Sequence, residues 1–337
     1  MRTSEQIKKF ILDNLSIHKK DIVQESINHF GISRQAIHKH MKRLIDDKKV
    51  VAYGTTKGRY YELIPSVNYN KKIIIDGAFS SENFLKEHIS PQIESLPKNI
   101  FEIFIFSIGA LLNNILYHAD ATNIYFKLYV NHREAHFVLS DNGKGIFENI
   151  RSGLELSNSS VAALELAKGN VTTDPSRHSG DELNTIIQLF DKVTIDSSGI
   201  SLKYFNKNQD WLLKHSKQLH GTRIHLQIDS LSKRTCSDIF DSIFANKYLR
   251  IRIPLNFLEL SDNKIVNSRL QAKSALRNIK DYKIIEFDFK KIDLIGPAFA
   301  DELVRQTKEK NKFADIEWIN TNPTVDLLMS RALDRQS

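Results

Sequence analysis

The most constraining stretch of this 337-residue chain is Asp141-Asn142-Gly143-Lys144-Gly145-Ile146. It follows Phe137, Val138 and Leu139, an apolar run that reads as a strand ending in a sharp turn. The two glycines let backbone come close to something flat or phosphorylated, and the aspartate supplies a fixed acceptor. Plain surface turns use the same composition, so the neighbouring stretches decide. Upstream, Leu111-Leu112-Asn113-Asn114-Ile115-Leu116-Tyr117-His118-Ala119 has helical apolar spacing and carries two amides and a histidine. Downstream, His178-Ser179-Gly180-Asp181-Glu182-Leu183 precedes Gly221-Thr222, which enters another strand.

That order resembles the ATP-binding domain of the GHKL superfamily, shared by histidine kinases, anti-sigma-factor kinases and type II topoisomerases. The resemblance implies ATP and Mg²⁺ as ligands. Asp141 would accept a hydrogen bond from the adenine amino group and reject guanine, which presents a carbonyl there. Gly143 and Gly145 would leave room for base and ribose. Asn114 would give its amide oxygen to Mg²⁺, with phosphates and water completing the shell. Thr222 would bond near Asp141. Lys168, Thr172, Thr173 and His178 fall on the family's lid, and Gly180 precedes a helix N-terminus suited to anionic oxygens. Each residue also has a plainer reading: Asn113 and Asn114 as surface amides, His118 as a structural histidine, the threonines as loop residues.

Two positions depart from the family. Its hydrolysing members carry a glutamate one turn before the magnesium-binding amide, and here that position is Ala110. A general base worth ~10²–10⁴-fold is missing. Glu182 replaces the second glycine of the lid motif, adding a Cβ and a charge that repels phosphate.

The basic balance has a definite location. Net charge is +8, and residues 1–64 hold 13 Lys/Arg against 7 Asp/Glu, most of the excess. Such asymmetry points to nucleic acid, with a solvated basic surface as the plain alternative. Residues 4–15 read as a helix with Ile7, Phe10, Ile11 and Leu15 on one face, and residues 20–29 as a second. Gly31 makes a turn, and Ser33 caps a third helix. The outer face of that helix offers Arg34, Gln35, His38, Lys39, Lys42 and Arg43, which can bond base edges and phosphates. Runs at 50–53 and 59–63 form a hairpin through Gly54-Thr55-Thr56-Lys57-Gly58. The order resembles the winged helix-turn-helix of bacterial transcription regulators, with Lys57 and Arg59 of the wing against phosphate. A three-helix protein-interaction domain is the alternative.

Residues 65–71 read as a linker and 72–75 as a strand. Helices are expected over 80–88, 97–119 and 183–190, and strands near 122–130, 134–140, 192–196, 200–205 and 222–228. Residues 146–182 read as a long irregular segment with a helix around 159–168, as functional lids have. Helices first and an antiparallel sheet after them suggest a two-layer α/β sandwich. Residues 249–253, 283–289 and 316–319 read as strands of a third unit. Its helices fall at 267–276, in the run that follows Gly296-Pro297, and at 324–333. This unit resembles a STAS-like domain, although Pro297 and Ala298 stand where classical anti-sigma-factor antagonists carry a phosphorylatable serine.

The expected fold class is therefore multidomain α/β: a winged helix over 1–65, a GHKL-type two-layer sandwich over 72–230 and a STAS-like domain over 240–337. No apolar run is read as reaching the roughly 20 residues of a membrane helix, and no signal-peptide core is read. The single cysteine, Cys236, excludes an internal disulfide framework. A cytoplasmic location is expected. The expected function is a DNA-binding regulator whose nucleotide domain senses adenine nucleotide or has lost that ability, hydrolyses it weakly or not at all, and whose STAS-like unit meets a protein partner or a second copy. The alternative is an active protein kinase or ATPase whose winged helix makes protein contacts.

Overall fold

A computed structural model describes residues 3–55, 58–169, 171, 181–246, 248–258, 265–279 and 282–336. The N-terminal unit opens with α1 (Ser4–Asn14). Thr3 and Gln6 exchange side-chain-to-backbone hydrogen bonds there, which satisfies two of the helix's unpaired N–H groups. Next, α2 (Ile22–Phe30) stops at Gly31, whose φ of 63° is left-handed and carries no Cβ penalty in glycine. Then α3 (Arg34–Asp46) starts at Ser33, whose hydroxyl accepts from the Ala36 N–H at 3.2 Å. Finally β1 (Val50–Tyr53) and β2 (Tyr60–Leu63) form an antiparallel ribbon. Ile11, Leu15, Ile22, Ile37 and Leu44 are fully buried in a small core of this unit's own.

Three residues after β2 the chain enters β3 (Val67–Ile74), so the segment expected as a linker is mostly strand. The edge position explains the misreading: Asn68, Asn70 and Lys72 face outward and give the strand a loop-like composition. After α4 (Ser81–Phe84), a π-helical turn over Leu85–Ile89 and α5 (Ser90–Ile93) comes the long α6 (Lys98–His118). Among the described residues α6 is the one helix long and apolar enough to cross a membrane, with mean hydropathy 1.7, which corrects the expectation that no such run exists. Burial accounts for its character, since Ile100, Ile103, Phe104, Ile108, Leu111 and Leu112 lie in the core.

The unit continues with β4 (Asn123–Val130), β5 (Glu134–Asp141), α7 (Ile146–Gly153), α8 (Ser159–Ala167), α9 (Asp181–Leu189), β6 (Lys192–Ser197), β7 (Ile200–Phe205), β8 (Asp210–His215) and β9 (Thr222–Asp229). These build a seven-stranded sheet in the order β3-β4-β5-β9-β6-β7-β8, antiparallel at every pairing. Along β5 the inward parity is Ala135, Phe137, Leu139 and Asp141, so the aspartate sits on the apolar side. The irregular segment expected over 146–182 contains α7, which sequence inspection missed because Gly145 offers no side-chain cap.

Beyond β9 lie α10 (Cys236–Asn246), β10 (Arg250–Pro254), β11 (Ile265–Val266), α11 (Arg269–Ala275), β12 (Ile284–Asp288), β13 (Leu294–Ile295), α12 (Pro297–Lys310), β14 (Asp315–Ile319) and α13 (Pro323–Asp334). Strands β10, β12 and β14 are parallel, and β12 is almost wholly buried, as parallel strands between layers are. The chain is thus a multidomain α/β protein with one antiparallel and one parallel principal sheet. The apolar core runs without a break from the seven-stranded sheet into this C-terminal unit.

Two cations stitch that junction. Lys168, at the end of α8, is buried together with Glu165, 2.7 Å away. Its ammonium also donates to the carbonyls of Ala275 and Arg277 at the C-terminal end of α11. Arg277 reaches back to the carbonyls of Leu154 and Glu155, just past α7. Each unit therefore places a cation on helix-terminal carbonyls of the other, where the helix dipole is negative. Burial pushes the Lys168 ammonium down and the Glu165 carboxyl up, and their mutual attraction opposes both. Removing one partner leaves the other charge buried and alone. Lys168→Met is expected to cost about 3–5 kcal/mol, and Lys168→Met with Glu165→Leu clearly less, in chemical denaturation of the full chain.

Candidate functional site

Parity carries Asp141 to the apolar side of β5, and register puts the start of β9 beside it. Its Oδ1 accepts the Gly143 N–H at 2.8 Å and the Thr222 N–H at 3.3 Å, and no other described residue donates to Oδ2. The residue is 6% exposed. Burial pushes its carboxyl up, and the backbone N–H groups of Gly143 and Thr222 pull it partly back. The Thr222 hydroxyl accepts from the Ile146 N–H at 2.9 Å and so fixes the first turn of α7. Asp141, Gly143, Gly145 and Thr222 thus form one cluster at one end of the sheet.

The glycines have a different reason from the expected one. A Cβ on Gly143 would overlap the Ala119 carbonyl, and one on Gly145 would meet the Ser197 hydroxyl. Protein, not open space, occupies the room they leave. The turn presses on the C-terminal end of α6, where Lys144 N–H donates to Ala119 O at 2.9 Å and Asn149 Nδ2 to His118 O at 2.6 Å. Asn142 Oδ1 takes the N–H groups of Thr122 and Asn123. Gly221, at φ 81°, packs so closely on Asp141 that a Cβ would collide with the Asp141 carbonyl. Ser197 closes the arrangement by donating to Gly221 O at 2.9 Å. Asn149 and Ser197 join Asn142 and Gly221 as anchors of this turn, and nothing in the local spacing of Asn149 and Ser197 marks them.

Asn114 lies five residues before Ala119 on α6, half-buried, with its amide hydrogen-bonded to no other described residue. Its neighbour Asn113 accepts from Ser81 Oγ at 2.7 Å. Ala110 sits one turn earlier and is also half-buried. Lys168 does not belong with this group: its ammonium is committed to Glu165 and to α11, so it is not a free phosphate donor. Thr172, Thr173, His178 and Gly180 lie outside the described residues. Glu182 is exposed in the first turn of α9 beside Asp181, so two carboxylates already occupy that N-terminal turn. Among the described residues no three His, Cys, Asp or Glu side chains converge as a metal site.

The N-terminal unit presents a second surface. On α3, Ile37, Met41 and Leu44 face the core while Arg34, Gln35, His38, Lys39, Lys42 and Arg43 are all exposed. None of its four cations has an acidic partner within ion-pair distance among the described residues. Arg59 is exposed and lies 5.3 Å from the Tyr61 ring centroid. Lys57 lies outside the described residues. Burial, and then the cations Arg43, Lys8 and Lys39, hold the His40 imidazole below its ordinary value.

Two substitution sets probe the turn. Gly143→Ala and Gly221→Ala are each expected to destabilise the protein by about 1–3 kcal/mol through overpacking, whereas Gly58→Ala and Gly77→Ala, where a Cβ meets nothing, leave denaturation midpoints nearly unchanged. Asp141→Asn is expected to stabilise by roughly 0.5–2 kcal/mol, because it removes a buried charge at a site shaped for something other than stability. The sign of the pH dependence follows. The folded carboxyl titrates above its unfolded value, so its contribution is most favourable at low pH and is lost as pH rises through the folded value. The advantage of Asp141→Asn should therefore grow from acidic to neutral pH in paired urea titrations.

Among known proteins, a family model described as a STAS-like domain of unknown function (DUF4325) matches residues 271–326. The match begins inside α11 and ends inside α13, taking in β12, β13, α12 and β14. No curated protein and no solved structure matches the chain. Its C-terminal unit contains a STAS-like domain.

Proposed function

We propose that the chain is a DNA-binding regulator that responds to adenine nucleotide. The observation that carries this reading is α3: a capped helix with one face locked in a core and six polar or cationic side chains exposed on the other. Three helices followed by a two-stranded ribbon are the parts of a winged helix-turn-helix. Duplex DNA is the proposed partner, with α3 at base edges and phosphates and Arg59 on the ribbon against backbone.

The seven-stranded unit is read as a GHKL-type nucleotide-binding domain. Its support is Asp141, a buried carboxylate held by two backbone N–H groups at the end of a central strand. Such a group offers an acceptor to an exocyclic amine. Asn114 supplies one hard oxygen, which suits a Mg²⁺ that takes its other ligands from phosphate and water. A bound Mg²⁺ would neutralise phosphate charge. With Ala110 at the position of the usual base, hydrolysis is expected to be absent or very slow, and nucleotide acts as a ligand that shifts a conformational balance. The STAS-like unit is proposed to meet a protein partner or a second copy. Ala110 also weighs against the rival reading of an active kinase.

Three measurements test these proposals. In gel shifts against the gene's own upstream region, Arg34→Ala should weaken binding by about 1–3 kcal/mol, and Lys42→Ala should lower the salt slope by about one. Equal affinity of wild type and Arg34→Ala for that region would refute the α3 assignment. Mg-ATP at about a hundredfold over its dissociation constant should stabilise the full chain by about 2.7 kcal/mol. Asp141→Asn and Asn114→Ala should abolish that gain. Phosphate release should be undetectable in wild type, and steady hydrolysis lost in Asn114→Ala would favour the kinase reading instead.

A further inference from the structure

The helices of the central unit pack on the apolar face of the seven-stranded sheet, and Lys72, Tyr125, Lys127, Lys214 and Arg223 are exposed on the other. The register places side chains there in rows that cross all seven strands. One row runs from Lys72 through Tyr125, Ser140 and Arg223, and on through Asp196 and Ser201 to Lys214. The next carries Lys127, His225 and Lys203, and a third carries Tyr129, His136, Lys192 and Phe205.

Charge on this face is uneven in a telling way. Lys72, Lys127, Lys192, Lys203, Lys214 and Arg223 all point outward, and none lies within ion-pair distance of an acid among the described residues. The acids are mostly committed. Asp229 pairs with Arg133 at 2.8 Å, Glu134 with His136 at 2.6 Å, and Asp210 with Lys290 at 2.6 Å. Asp196 lies across from Arg223 in register.

Rings stand between the cations. Tyr125 is 50% exposed, with Lys72 Nζ 5.6 Å from its centroid. Lys192 Nζ lies 5.9 Å from the Phe205 centroid. Tyr129 and His136 stack with centroids 4.9 Å apart, and His136 meets His225 edge-on at 4.9 Å. The Nε2 of His225, near the middle of the face, is buried between its neighbours and has no hydrogen-bond partner among the described residues. Cations without acidic partners, interleaved with rings on one sheet face, match a ligand that has anionic groups and flat π-faces in alternation. A single nucleic-acid strand offers both, whereas a duplex keeps its base faces stacked inside.

We propose that this open sheet face binds single-stranded nucleic acid, its cations taking phosphates and its rings taking bases. The site is separate from α3 and does not depend on the duplex reading. The test is fluorescence anisotropy with the full chain and a labelled mixed-sequence DNA strand about 20 nucleotides long, enough to span one such site. Lys127→Gln combined with Lys203→Gln and Arg223→Gln should weaken binding at least tenfold. That variant should also reduce the salt slope by about 2, since each lost phosphate contact on a single strand contributes about 0.7. Tyr125→Leu keeps every charge and should still lose about fivefold or more. Arg34→Ala with Lys39→Ala on α3 should weaken strand binding far less than the sheet variant does. Hydrogen exchange on wild type gives a check that no variant's folding can confound, with strand-dependent protection expected in β4 and β9. Wild-type affinity in the sheet variants, loss of strand binding through α3 alone, protection confined to other elements, or tighter binding of phosphatidylserine vesicles than of the strand each overturns the proposal.

Discussion

The close seating of the Asp141–Gly145 turn on the end of α6 is the contact on which the central unit depends. At Gly143, backbone meets the Ala119 carbonyl with no space for a side chain. Lys144 N–H then satisfies that same carbonyl, one of the four that a helix C-terminus leaves unpaired. The approach brings the end of interior strand β5, the end of the unit's longest helix and the start of α7 to one point. Gly221 repeats the device from the other side, where β9 begins. A buried carboxylate at such a junction works against stability, and the surrounding N–H groups only partly offset that. Position and cost together support the proposed role of Asp141 in ligand recognition.

The same turn is linked to the STAS-like unit by a short chain of contacts. Thr222 fixes the first turn of α7, and carbonyls just past the end of α7 hold Arg277 of the C-terminal unit. Lys168 at the end of α8 returns the contact by sitting on the C-terminal carbonyls of α11. With an apolar core continuous across the junction, the two units form a single packed body. The N-terminal unit is joined differently. It keeps its own core and meets the sheet through polar contacts, among them His132 with Asp13 at 2.7 Å. Motion of the N-terminal unit against the sheet disturbs little buried apolar surface, whereas separating the sheet from the STAS-like unit disturbs much.

Local sequence determined a good deal of this protein. Caps and breakers in the first 64 residues were legible because Ser33 and Gly31 act on adjacent backbone, and because period 3.6 sorts Ile37, Met41 and Leu44 from the cations of α3. The alternation of β5 likewise placed Asp141 at the end of an apolar parity, and the C-terminal strand and helix runs were legible as a STAS-like order. Segments whose composition conflicts with their structure were not legible. Edge strand β3 looks like a linker because its outward face is wet, and α7 starts on a glycine that gives no capping signal.

Only the tertiary structure decided what those residues touch. The family resemblance left Gly143 and Gly145 as room for a ligand, and the fold fills that room with Ala119 and Ser197. It placed Lys168 among phosphate donors, and the fold buries it against Glu165 and α11, some hundred residues further along the chain. The cations of the open sheet face are scattered between positions 72 and 223, and only strand register gathers them into rows. The physical reason is the same in each case. Turn chemistry and periodicity act over a few residues, whereas close approach, desolvation and charge pairing depend on which distant segments the sheet order brings together.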